Sequence, residues 1–175
     1  AKLLSRNPHV KFLMVGNGKI FTKMYQLAIN LQVKNIRFYP NVREPQAKPL
    51  LKQATVFLGL FADSPSVKRQ IANKVFQGMA MGKAVITADA PIVRTILKHG
   101  KNVYLIPAAD PPALAKSILK LYKDPTLTYN IGREARRTFE QEFTPQIVTA
   151  KIIDIIETYN MNKSHIKGHL TQKAL

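Results

Sequence analysis

At 175 residues and 46% hydrophobic content, the chain has the length of one domain and enough apolar material for a sizeable core. A formal charge of +17 points to an anionic partner, while the absence of cysteine excludes disulfides and thiolate metal centres and fits a reducing compartment. No apolar run approaches the roughly 20 residues that span a bilayer, and no signal-peptide pattern opens the chain.

Ala1 to Asn7 reads as the end of a helix that begins upstream, closed by Asn7 and Pro8. Val10 to Val15 is an apolar strand, followed by Gly16, Asn17, Gly18 and Lys19. Phe21 to Leu31 has helical periodicity, and Asn35 to Tyr39 is a second strand. A loop over Pro40 to Glu44 leads to a short helix from Pro45 to Gln53. Val56 to Phe61 is a run suited to a parallel strand buried on both faces.

Ala62 to Ala72 is polar, carries Pro65 and reads as a loop leaving that strand. Asn73 is placed as the N-cap of a helix from Lys74 to Met81, with Gly82 at its C′ position. At 3.6 residues per turn, Val75, Phe76, Met79 and Ala80 share one face, predicted to pack on the sheet. Lys74, Gln77, Gly78 and Met81 share the other. Lys83 then opens the strand over Ala84 to Thr87. A lysine in a first helical turn opposes the dipole by roughly 0.3–1 kcal/mol, so a bound phosphate would offset it. A solvated surface lysine is the plainer alternative.

Pro91 to His99 is predicted helical and ended by Gly100, with His99 as a cationic partner of the dipole. Val103 to Ile106 is a strand, Asp110 with Pro111 and Pro112 opens a helix to Tyr122, and Asp124 with Pro125 opens another to about Glu142. Pro145 to Tyr159 is an amphipathic helix with Ile152, Ile153, Ile155 and Ile156 on one side. Residues 1–160 form the domain, and 161–175 a basic tail expected to be frayed.

Strands alternating with helices give a Rossmann-like, doubly wound parallel sheet with flanking helices, an α/β fold. Ligands of such sheets bind beyond the carboxyl ends of the strands. Those ends carry Gly16 to Lys19, Asn41 to Arg43, Ala62 to Arg69 and Thr87 to Ala90.

Several chemistries are excluded. The third glycine of a dinucleotide fingerprint is replaced by Phe21. Gly18-Lys19 and Gly82-Lys83 lack the upstream glycine and following hydroxyl of a P-loop. There is no Gly-x-Ser-x-Gly nucleophile elbow. Asp63, Asp89 and Glu44 are the acids placed beside the cleft, and they form no evident glycosidase pair. The four histidines make no metal site, since His165 and His169 flank Gly168 in the tail. Basic residues are dispersed and aromatics few, which disfavours nucleic acid. An anionic membrane surface, worth roughly 1 kcal/mol per basic residue near the lipid, fits the charge better.

The run NKVFQGMAMGKAVITAD followed by GKNVYLIPAADPPALAKSILKLYKDP, with VKFLMVGNG and NIRFYPNV upstream, resembles the C-terminal half of group 1 (family 4) glycosyltransferases over residues 1–158. The resemblance implies a GT-B fold whose C-terminal domain holds a nucleoside-diphosphate sugar and whose N-terminal domain holds the acceptor. The implied reaction moves the sugar to an acceptor hydroxyl, with retention and without a metal or other cofactor. Charge developing on the diphosphate must then be stabilised by basic residues and N–H dipoles. Lys74 matches the family lysine, and Lys74 and Arg69 are the candidate catalytic residues. Gly16, Asn17, Gly18, Ser64, Asn73, Lys74 and Gln77 are the candidate donor-binding residues.

Two departures from the family pattern matter. Its second glutamate, which grips the ribose, is Gln77 here, and its first is Arg69, which is expected to alter the sugar contact. The family's first C-domain strand and its Gly-Arg…Lys segment would precede Ala1, as would the acceptor domain. Strand 1 is central in the order 3-2-1-4-5-6, so its loss leaves Val10–Val15 and Val56–Phe61 either paired directly or separated by a groove. The expected setting is polysaccharide or glycolipid synthesis, cytoplasmic and peripheral on the membrane. The alternative is a non-catalytic basic Rossmann-like module binding nucleotide, anionic lipid or nucleic acid.

Overall fold

The structure, a computed structural model, describes residues 1–172, with Glu44 and residues 161–172 described by their backbone alone. It divides into two compact units, Ala1–Arg136 and a second beginning at Arg137.

In the first unit a 3-10 turn at Lys2–Leu4 precedes β1 (Phe12–Val15), α1 (Phe21–Asn30), β2 (Ile36–Tyr39), α2 (Glu44–Lys52) and β3 (Val56–Leu58). There follow α3 (Pro65–Lys68), α4 (Asn73–Ala80), β4 (Ala84–Ala88), α5 (Pro91–Arg94), β5 (Tyr104–Ile106), α6 (Pro111–Lys123) and the start of α7 (Pro125–Glu142). The helix starts follow local chemistry. Asp110 accepts the Ala113 N–H at 2.8 Å and Asp124 the Leu127 N–H at 2.9 Å, each answering an orphan donor of a first turn.

All pairings are parallel, in two separate sheets. One has the order β3-β4-β5, with Val56 opposite Ala84 and Ile86 opposite Tyr104. Every residue of β4 is buried, as its unbroken apolar run requires of a strand paired on both edges and covered on both faces. Ile86 packs with Ile106, Leu121 and Ile131. Val75 and Met79 of α4 are also fully buried. Each such side chain contributes roughly 1.5–3 kcal/mol by leaving water.

The other sheet pairs β1 with β2, Phe12 opposite Ile36 and Val15 opposite Tyr39. Phe21 and Tyr25 of α1 meet Phe38 edge-to-face, with centroids 5.6 and 5.2 Å apart. Among the described residues no ladder joins β1 to β3. Of the two arrangements the sequence leaves for these strands, the structure has the unpaired one.

Several boundaries differ from the sequence reading. β3 ends at Leu58 instead of Phe61, because the Thr87 hydroxyl enters the ladder. Its Oγ1 accepts the Leu60 N–H at 3.3 Å and donates to the Leu60 carbonyl at 3.2 Å. Gly59 permits this approach, since a Cβ there would stand 2.4 Å from Thr87 Oγ1. The predicted loop over Ala62–Ala72 contains α3. The helix predicted for Pro91–His99 stops at Arg94.

In the second unit, α8 (Pro145–Gln172) remains helical beyond Tyr159, and residues 173–175 of the expected tail lie outside the described ones. Its Ile152, Ile153, Ile155 and Ile156 are exposed. Lys151 pairs with Glu142 at 2.6 Å across open surface, a contact of roughly 0–1 kcal/mol.

Candidate functional site

The candidate residues of the first unit lie in the loops that follow β1 and β3 and in α4. After β1 the chain turns through Gly16 at φ +130°, a region open essentially to glycine alone. Nothing stands within 4 Å of a Cβ there, so the requirement is one of backbone and not of space. The Asn17 amide donates to Asn41 Oδ1, joining the loops that follow β1 and β2. Asn41 itself has φ +54°, a left-handed conformation that asparagine tolerates better than most residues. Sequence reading places Asn41 on this edge without assigning it the contact; the Pro40-Asn41 pair was the available turn signal.

Beyond β3, Ser64 caps α3 by accepting the Val67 N–H at 3.4 Å. Lys68 pairs with Asp63 at 2.8 Å. Arg69 closes this short helix and is exposed. The next helix, α4, begins one residue earlier than the sequence reading has it. Ala72 is the N-cap, in extended conformation, and Asn73 is the first helical residue. Asn73 therefore does not cap with its side chain, which is a correction.

No side chain caps α4, and its first turn holds no acid. The positive end of the dipole and its free N–H groups are thus left to solvent or to an anion. Lys74 stands in this first turn. It remains exposed, although the surrounding protein lowers its pKa by desolvation. Water around the exposed amine screens this cost. Among the described residues no carboxylate answers it.

Gln77 is exposed one turn on, whereas Gly78 is buried. Placing Gly78 on the outer face with Lys74 was therefore incorrect. A Cβ at this position would stand 2.8–2.9 Å from Val85 and Phe57, so glycine is what lets α4 lie close against β3 and β4. The far end of α4 is held by Arg136, whose guanidinium donates to the Ala80 carbonyl. That contact joins residues 56 apart in the chain and has no signal in local sequence.

Beyond β4, Arg94 makes a two-pronged contact with the Asp89 carboxylate, the Nε arm at 2.5 Å. This holds the Asp89 carboxyl below its usual pKa of 3.8 and raises that of Arg94. A depressed folded pKa contributes stability that is present above pH 3.8 and is lost as pH falls through the folded value. Arg94→Ala is expected to return the Asp89 pKa towards 3.8, read by NMR titration of its carboxyl carbon. His99 is not at a helix end, because α5 stops at Arg94; its Nδ1 accepts the Leu105 N–H at 3.0 Å.

The structure therefore brings Asn17 to Asn41 and sets Asn73, Lys74 and Gln77 on one helix start. Among the described residues no hydrogen bond links Gly16, Asn17 or Gly18 to Ser64 or to α4. No group of three or more His, Asp or Glu among the described residues could hold a metal ion. None of their helices is long and apolar enough to cross a membrane.

The family model described as glycosyl transferases group 1 matches residues 1–124. The chain is 27% identical over 148 residues to the N-acetyl-alpha-D-glucosaminyl L-malate synthase of Bacillus anthracis, covering 85% of this chain and 36% of that protein. It is 31% identical over 160 residues to the putative glycosyltransferase EpsD of Bacillus subtilis, covering 91% of this chain and 40% of the other. Among solved structures, Anabaena HepE in complex with UDP and glucose superposes with a TM-score of 0.77 at 18% identity. That match covers 90% of this chain and 43% of HepE. The chain thus spans well under half the length of these relatives.

Proposed function

Because the chain belongs to the group 1 glycosyl transferases, we propose that its first unit binds the diphosphate of a nucleotide-sugar donor at the start of α4. The observation that carries this reading is an uncapped, acid-free helix start bearing an unanswered Lys74. Two phosphates would supply the missing negative charge, accept the free N–H groups and draw on the dipole together. The presence of UDP in the HepE complex supports the nucleoside-diphosphate class.

In this reading the reaction transfers the sugar, with retention, to an acceptor hydroxyl in polysaccharide or glycolipid synthesis. Lys74 stabilises the leaving diphosphate and Arg69 acts beside it at the sugar. Gln77 takes the ribose hydroxyls as an amide that both donates and accepts. Gly16, Asn17 and Gly18 give the donor backbone access, and Ser64 and Asn73 border it. No metal is required, because the helix dipole and Lys74 meet the diphosphate charge. A separate domain holds the acceptor, so the 175-residue chain alone binds donor without turning it over. In this reading the positive charge serves attraction to the cytoplasmic face of an anionic membrane.

The test is calorimetric titration of the chain with UDP, GDP, ADP and inorganic phosphate. The expected result is a nucleoside diphosphate bound more tightly than phosphate and displaced by its sugar conjugate. Failure of every nucleotide to bind, with anionic vesicles or nucleic acid binding instead, would favour a non-catalytic basic module. Turnover by the isolated chain would refute the need for an acceptor domain.

A further inference from the structure

We infer that Asn41 is a positioning residue for the donor: through the amide of Asn17 it holds the loop of residues 16–19 in the shape that a nucleoside diphosphate meets. The inference rests on the donor reading above and adds Asn41 to it.

The β1–β2 ladder brings the two loops side by side. Its last pair sets Val15 opposite Tyr39, and the Gly16 N–H donates to the Tyr39 carbonyl at 3.1 Å. There the ladder must stop. Pro40 has no N–H to donate, and Asn41 at φ +54° has left extended backbone. Beyond that point, among the described residues, the hydrogen bond from the Asn17 amide to Asn41 Oδ1 is what still joins the loops.

Little else steadies residues 16–19. All four are exposed, and a Cβ on Gly16 or Gly18 would meet nothing within 4 Å. Two glycines in four residues also widen the choice of backbone conformations. The near end is fixed by the Gly16 N–H in the ladder. The far end is fixed by the Gly18 carbonyl, which accepts the Phe21 N–H at 2.8 Å. Between them the side chain of Asn17 is the tether.

The other end of the contact is firmer. Only residues 40–43 separate β2 from α2. The Arg43 N–H donates to Gln46 Oε1 at 3.2 Å, and the Arg43 carbonyl accepts the Gln46 and Ala47 N–H groups at 2.9 and 3.0 Å. Asn41 is thus anchored by a strand on one side and a boxed helix start on the other. It is the anchor, and the glycine loop is the part held.

Both amides are exposed, so either can turn to water if the contact opens, and the bond adds little to the folding equilibrium. What it changes is the freedom of the loop. A ligand that needs the loop ordered avoids that cost when the loop is already held.

The test is calorimetric titration of the 175-residue chain with UDP, GDP, ADP and inorganic phosphate, with melting curves and backbone ¹⁵N relaxation alongside. Asn41→Gly keeps the left-handed backbone and removes the acceptor. It should weaken the tightest-bound nucleoside diphosphate about three- to tenfold, the share of one ordinary hydrogen bond. Phosphate binding and melting temperature should stay as in the parent, while the order parameters of Gly18 and Lys19 fall and that of Met14 does not. In an Asn17→Ala background the same change should do nothing further, whereas an effect of glycine on the backbone itself would persist there. Nucleotide affinity or loop order equal to the parent's, a loss that persists with Asn17→Ala, or a parallel fall in phosphate binding and melting temperature would each overturn the inference and leave the donor reading standing. A parent chain that binds no nucleoside diphosphate would refute the donor reading, and the inference with it.

Discussion

On the donor reading proposed above, replacing Lys74 by alanine is expected to weaken nucleoside-diphosphate binding by the chain about 10–100-fold, the roughly 1.5–3 kcal/mol of a hydrogen bond to a charged group. The reason is the one-sided electrostatics of the α4 start, where a charged amine and free N–H groups converge without a carboxylate. Stability should move the other way. Desolvation alone lowers the Lys74 pKa from 10.5, so the empty folded protein disfavours the charged form relative to the unfolded chain.

The alanine variant should therefore melt no lower than the parent at neutral pH. Between the folded pKa and 10.5 the unfolded chain holds more protons than the folded one, so the parent gains stability as pH rises through this window. The difference between the two proteins should shrink accordingly. Calorimetric binding together with melting curves from neutrality to pH 10.5 reads both effects. A variant that loses binding and melts far lower at neutrality would assign Lys74 a structural role instead.

Gly132→Ala is expected to destabilise the first unit by about 1–3 kcal/mol or more, against the roughly 1 kcal/mol gain that the same change brings in an open helix. A Cβ on Gly132 would lie 2.4 Å from the Gly82 carbonyl oxygen, 3.1 Å from its carbon and 3.2 Å from the Ala84 nitrogen. All three are backbone atoms and none can rotate aside, so α7 must back away from the turn between α4 and β4. That turn is itself constrained, with Gly82 at φ +64° and the wholly buried β4 beginning two residues later. The shift would also strain the contact from Arg136 to the Ala80 carbonyl.

For a chain of this size the melting temperature should fall by roughly 2–4 °C per kcal/mol. Gly100→Ala is the control. Unlike the helical Gly132 it has a positive φ, +72°, and nothing stands within 4 Å of its Cβ, so its substitution carries conformational strain without collision. Equal stability of Gly132→Ala and the parent protein would show that α7 does not brace this turn.

Much of this molecule is written locally. Apolar runs of four to six residues between turn signals mark all five strands. Asp110 and Asp124 mark helix starts because a carboxylate answers orphan N–H groups within three residues. Gly82 and Gly100 mark turns because left-handed backbone excludes most side chains. The resemblance of residues 73–125 to group 1 glycosyltransferases likewise needs only residue types in order.

What the local pattern misplaces is decided by partners distant in the chain. Periodicity puts Gly78 beside Lys74, yet the close approach of Phe57 and Val85 turns it into the sheet. A helical run through His99 gives way to a ring that accepts the Leu105 N–H. Thr87 ends β3 early from a neighbouring strand. Gly132 and Gly82, fifty residues apart in number, meet through backbone atoms that no side-chain pattern encodes. The separation of β1 from β3 belongs to the same class. Side-chain alternation specifies that a segment is a strand and which faces it buries. Which edge it offers, and to whom, is settled only when backbone hydrogen bonds are shared out across the folded sheet.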